Sequence, residues 1–109
     1  MAIDQELAER VRQSLAGRPG LSEKKMFGGI VFLLKGKISC GVYGQELLVR
    51  LAPETTDEAL RRPHTRLFDI SARVMKGWVL VHPDGIASEA GLAEWVNIGV
   101  SFAAALPAK

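Results

Sequence analysis

Residues 26–51 are cut by turns too short to connect anything but antiparallel neighbours. Met26 to Leu34 is apolar apart from Gly28-Gly29, and it ends at Lys35-Gly36-Lys37, the composition of a tight hairpin turn. Ile38, Cys40 and Val42 then alternate with Ser39, Gly41 and Tyr43, the period of a half-buried strand. Gly44-Gln45 follows, with glycine first as a type II′ hairpin needs, and Leu47, Val49 and Leu51 alternate with Glu46, Leu48 and Arg50. A parallel pair needs a crossover of about a dozen residues, and nothing of that length separates these runs. The spacing therefore predicts a three-strand antiparallel meander.

Helical periodicity brackets this meander. Ile3, Leu7, Val11 and Leu15 recur every fourth residue between charged positions, so residues 3–16 read as a helix with one buried stripe. Asp4 and Glu6 fall in its first turn, and Gly17 with Pro19 stops it. Residues 53–62 form a second helix that Thr55 or Thr56 can cap, with Asp57 and Glu58 at its start, Arg61 and Arg62 at its end, and Pro63 beyond. Arg66 to Ile70 and Gly77 to His82 read as strands, the latter closed by the turn Pro83-Asp84-Gly85. A last helix runs from about Ser88, its cap, to Leu106. Its stripe of Leu92, Trp95, Val96, Gly99, Phe102, Ala103 and Leu106 is widened by Ile98 and Val100. Gly91 and Gly99 in a helix point to close packing on the sheet. The expected order is α-β-β-β-α-β-β-α, an α+β fold with helices packed on an antiparallel sheet.

At 109 residues the chain suits one domain, 1–109, with one core. No apolar run approaches the roughly 18 residues of a membrane-spanning helix. A single cysteine rules out an internal disulfide, and the charged start MAIDQELAERV lacks the apolar stretch of a secretory signal, so a cytoplasmic location is expected. The net charge of +2 is too small to announce a nucleic-acid or membrane partner. Residues 21–76 nevertheless carry ten basic against six acidic groups.

No constellation for catalysis stands out. Cys40 lies between Ile38 and Val42 on an apolar face, where a thiol is a small core residue rather than a nucleophile. His64 and His82 stand apart in sequence without a third ligand at metal-site spacing, so no metal and no cofactor is expected. Gly28-Gly29 precedes a strand rather than a helix, which suits a bulge or a close backbone approach and not a phosphate loop. Asp57 and Glu58 are explained by their helix start. What remains as a candidate interaction surface is basic: Lys24, Lys25, Arg61, Arg62, Arg66, Arg73 and Lys76.

Two segments are more particular. Glu23-Lys24-Lys25-Met26-Phe27-Gly28-Gly29 and Met75-Lys76-Gly77-Trp78-Val79, in that order, with the turn Lys35-Gly36-Lys37 between them and a closing helix carrying Leu92, Trp95 and Val96, resemble the N-terminal domain of the TfoX/Sxy family. The resemblance covers roughly residues 5–107. It implies a secretion-chaperone-like α+β topology, no catalytic residues, and a regulatory, protein-interacting role in DNA-uptake competence, with a cyclic-AMP-responsive transcription activator as partner. Ending at Lys109, with no room for the helical second domain of two-domain members, the sequence is expected to be a single-domain member. Weak direct nucleic-acid binding through the basic middle segment is the alternative expectation. The wide apolar face of the last helix and an exposed strand edge further suggest a homodimer.

Overall fold

The structure, a computed structural model, describes residues 4–26, 29–70 and 73–105. Helix α1 (Gln5–Leu15) begins where the Asp4 carboxylate accepts the Leu7 N–H at 3.1 Å, so Asp4 is the cap rather than part of the first turn. Its stripe buries Leu7, Ala8, Val11 and Leu15. Six strands follow: β1 (Leu21–Met26), β2 (Gly29–Leu34), β3 (Lys37–Tyr43), β4 (Glu46–Arg50), β5 (Thr65–Ile70) and β6 (Arg73–Val81). They form one sheet in the order β1-β2-β3-β4-β6-β5 with every neighbouring pair antiparallel. Helix α2 (Thr56–Leu60) follows a 3-10 turn at Pro53–Thr55, and helix α3 (Glu89–Ala105) follows another at Pro83–Gly85.

The expected α+β architecture is present, with one strand more than the sequence suggested. Strand β1, Leu-Ser-Glu-Lys-Lys-Met, is largely polar and exposed because it lies at the sheet edge, where only one side is paired. The two hairpin turns match their residues. Lys35 and Gly36 both have positive φ (53° and 82°), the type I′ pattern, and Gly44 at φ 62° is followed by a residue of negative φ, the type II′ pattern.

Alternation along the strands separates two apolar layers. Phe32, Cys40, Val42, Leu47, Val49, Val79 and Val81 face the helices and join Leu7, Val11, Leu15, Leu92, Trp95 and Val96 in the main core. Val31, Leu48, Phe68 and Leu80 point the other way and form a second cluster, edged by half-buried Leu33, Ile38, Tyr43 and Trp78. No helical residue joins this second cluster among those described. Helix α3 lies directly on β3. A Cβ at Gly99 would run into the Ser39 carbonyl, which is the close approach its glycine foretold. Gly91 serves a different contact, since a Cβ there would meet the Gly85 carbonyl of the preceding turn at 3.1 Å.

Two bulges correct the strict alternation. Phe32 pairs with Cys40 but Leu33 pairs with Ile38, so Ser39 is an extra residue on β3. The bulge sends Ile38 to the second face, away from Cys40 and Val42 with which its spacing had grouped it. Ser39 is fully buried, and its hydroxyl donates to the Phe32 carbonyl at 3.0 Å. On β6 the register jumps between Leu67↔Val79 and Asp69↔Val74, and Gly77 lies inside the jump at φ +92°. Its N–H donates to the buried Thr56 hydroxyl at 2.9 Å, and its carbonyl accepts the Leu51 N–H at 2.9 Å. Neither Thr55 nor Thr56 caps α2 with its side chain. Both hydroxyls donate back to the Ala52 carbonyl instead.

Candidate functional site

The five basic candidates with described side chains, Lys24, Lys25, Arg61, Arg62 and Arg66, lie at three separate elements. Lys24 and Lys25 are exposed on β1, one edge of the sheet, and Arg66 is on β5, the other edge. Five inter-strand steps of about 4.8 Å put these edges about 24 Å apart. Arg61 is exposed at the end of α2, while Arg62 is engaged: it meets Glu94 at 2.7 Å and lies 4.3 Å over the Trp95 ring. Arg66 pairs with Glu46, whose hydrogen bonds hold the guanidinium above its ordinary pKa. Arg73 and Lys76 belong to β6, with side chains outside the described residues.

The thiol reading holds. Cys40 is fully buried between the sheet and α3, its sulfur 3.8 Å from the Ser39 hydroxyl, and desolvation pushes its pKa up to about 12. An unionised thiol sealed in apolar packing has no route to a substrate.

The sheet face opposite the helices has a different character. Tyr43 meets the fully buried Phe68 edge-on at 5.2 Å, and Phe68 lies 6.5 Å from Trp78. Arg50 sits 5.3 Å from both the Trp78 and Phe102 rings, tying this aromatic row to α3. The apolar width of α3 is thereby accounted for. Phe102 holds Arg50, Val100 is buried, and Ile98 packs against the main core.

The histidines are not apart. Thr65 pairs with Val81, so His64 and His82 flank one end of the β5–β6 ladder, and the His82 N–H donates to the His64 carbonyl at 2.7 Å. Their rings are 6.1 Å apart. His82 Nδ1 accepts the Asp84 N–H at 3.1 Å and lies 3.6 Å from the Asp84 carboxylate. His64, Thr65, His82 and Asp84, with Glu46 and Arg66, line an open cleft of about 430 Å³. His64 has φ +68°. It follows Pro63 in a turn, and at a left-handed φ a side chain bearing a Cβ costs about 1–2 kcal/mol.

Against this geometry stands one family match: the model of the TfoX N-terminal domain fits residues 13–103 of the 109. The chain belongs to the TfoX N-terminal domain family. Comparison with curated proteins finds no match. The family is associated with competence and transcription regulation and is generally a non-catalytic regulatory domain. Among the described residues of the TfoX domain, no helix is long and apolar enough to cross a membrane.

Several signature residues now have physical roles. In the TfoX domain Gly29 pairs with Met26 and closes on β3, where a Cβ would strike the Val42 carbonyl; Phe27 and Gly28 lie outside the described residues. Gly77 makes the β6 bulge, Trp78 edges the second sheet face, and Trp95 anchors α3 beneath Arg62. The histidine pair went unread because its closeness depends on pairing β5 with β6. The available signal was that His64 lies two residues before one predicted strand, Arg66 to Ile70, and His82 ends the next.

Proposed function

We propose that this TfoX domain is a non-enzymatic, cytoplasmic protein-interaction module that regulates transcription, with a transcription activator as its partner. The observation that carries this reading is the sheet face opposite the main core, where Tyr43, Trp78, Leu33 and Ile38 surround a buried apolar centre that no described helical residue joins. Aromatic residues on a rigid sheet are the usual anchors of protein interfaces. The reading is further supported by the buried thiol and by family membership. Protein is favoured over nucleic acid because two of the basic candidates, Arg62 and Arg66, are engaged by Glu94 and Glu46, while Lys24 and Lys25 lie on the β1 edge and Arg61 at the end of α2.

Affinity capture from the native host at low salt, with purified transcription activator as the confirming partner, tests this reading. Capture by the wild-type domain and its loss in Leu33→Lys, with an unchanged circular dichroism spectrum, is the expected result. Failure of the purified activator to bind overturns it. A gel shift that weakens steeply with salt would favour the nucleic-acid alternative, and its absence at low salt removes that alternative. Pairing of two copies through a sheet edge predicts a two-chain mass by light scattering; a one-chain mass at high micromolar concentration refutes the homodimer.

A further inference from the structure

We propose that His64, His82 and Asp84 form a binding site for a divalent ion of the zinc class. Each offers one ligand atom, and these atoms lie within 4.8 Å of one another, with His82 Nδ1 and the Asp84 carboxylate already 3.6 Å apart. Bonds of about 2.0–2.2 Å in a tetrahedral arrangement require ligand atoms about 3.3–3.6 Å apart. All three side chains are exposed, so rotation about their own bonds closes the remaining gap without moving the backbone.

The backbone itself is fixed. His64 and His82 are locked opposite each other by the His82 N–H to His64 carbonyl bond and by the Thr65↔Val81 pair. Asp84 is held by the 3-10 turn that His82 opens, in which the Gly85 N–H returns to the His82 carbonyl at 2.8 Å. Gly85 also leaves room for the first histidine, because a Cβ there would come within 3.1 Å of the His64 Cβ. His64 holds a φ of +68°, a left-handed conformation that glycine adopts more easily than an imidazole-bearing residue.

The donor set decides the class of ion. Two imidazole nitrogens and one carboxylate suit zinc and its neighbours, whereas magnesium and calcium take oxygen ligands. The Asp84 carboxylate among the ligands also brings a negative charge to a doubly positive ion. The ion replaces the Asp84 N–H at His82 Nδ1, a bond exposed to water and cheaply exchanged. Arg66, the cation lining the cleft, is held by Glu46. Three protein ligands leave a fourth position open to water from the cleft.

The test is calorimetric titration of the untagged, full-length chain with zinc chloride, paired with thermal denaturation with and without zinc. One equivalent should bind, the zinc-dependent rise in melting temperature should be clear, and magnesium should produce neither. His64→Gly, His82→Asn and Asp84→Ala should each weaken zinc binding by at least about tenfold, since even loss of an outer-shell partner costs 10–100-fold. His64→Gly is the decisive variant. Glycine fits the turn better than histidine, so its zinc-free melting temperature should equal or exceed that of the wild type while its response to zinc disappears. Zinc binding only in the millimolar range by the wild type, or undiminished binding by His64→Gly, overturns the proposal.

Discussion

Replacing Thr56 by valine isolates a single buried hydrogen bond. The Thr56 side chain is fully buried and lies between two segments: its oxygen accepts the Gly77 N–H at 2.9 Å and its proton goes to the Ala52 carbonyl at 3.3 Å. Valine has nearly the same shape, so no cavity forms. Ala52 loses little, because its carbonyl still accepts the Thr55 N–H and the Thr55 hydroxyl, both at 2.9 Å. Gly77 loses its acceptor in a buried setting, which costs about 1–3 kcal/mol. The added methyl offsets up to about 0.8 kcal/mol. A net loss of about 1–2 kcal/mol corresponds to a fall of about 4–8 °C in melting temperature for a chain of this size. Urea denaturation should show a lower midpoint with an unchanged slope. Hydrogen exchange gives the sharper readout. The Gly77 amide should lose protection in Thr56→Val and keep it in Thr56→Ser, which sacrifices the methyl but retains the acceptor. A Thr56→Val protein as stable as the wild type, with Gly77 still protected, would refute the assignment of that hydroxyl to the bulge.

Other expectations follow from the same packing. Gly99→Ala should destabilise the domain although alanine favours helices by about 1 kcal/mol, because the new Cβ meets the Ser39 carbonyl; a raised melting temperature would count against the close approach. Cys40 should resist thiol reagents in the native protein and react once it is unfolded, and native labelling at the unfolded rate would contradict its burial. Its folded pKa is raised from 9.0 to about 12, so the unfolded thiol ionises first. Its contribution is therefore fully present below about pH 9 and lost as pH rises towards 12. The stability difference between wild type and Cys40→Ala should shift against the wild type across that window, and a constant difference would refute the shift. Arg66→Ala, which breaks an exposed ion pair, should cost under about 1 kcal/mol by denaturant titration; a larger loss would mean that Arg66 and Glu46 are not merely a surface pair.

The central hairpins were legible because their turn chemistry is local. Lys35-Gly36 and Gly44-Gln45 state the turn types their backbones adopt. Strand β1 was not legible, since an edge strand rich in Glu and Lys has no alternation to display. The placement of Ile38 was misread because one extra residue, Ser39, inverts the faces on either side of it, and a buried serine between apolar neighbours carries no local sign of a bulge. Thr56 looked like a cap because threonine before Asp-Glu usually is one. Its partner, Gly77, is 21 residues away. The candidate site divides in the same manner. The inertness of Cys40 follows from its immediate neighbours, whereas the meeting of His64, His82 and Asp84 depends on a strand pairing that no spacing rule contains.

The two segments that carry the family resemblance lie on different strands of one sheet, Gly29 on β2 and Gly77 on β6, with β3 and β4 between them. Gly29 lets β2 press on β3 beside Tyr43, and Gly77 turns β6 immediately before Trp78. Tyr43 and Trp78 flank Phe68 from its two sides. Gly29 thus sets the approach of β2 to β3 beside Tyr43, whereas Gly77 seats residues 53–60 on β6, its N–H on the Thr56 hydroxyl and its carbonyl on the Leu51 N–H. Gly99 and Gly77 are both backbone exceptions where helical segments meet the sheet. Gly77 in addition fixes the strand immediately before Trp78, so Gly77→Ala should impair partner binding more than an equally destabilising change in α1, such as Leu7→Val. Equal loss of binding for equal loss of stability would show that the face matters only through the fold.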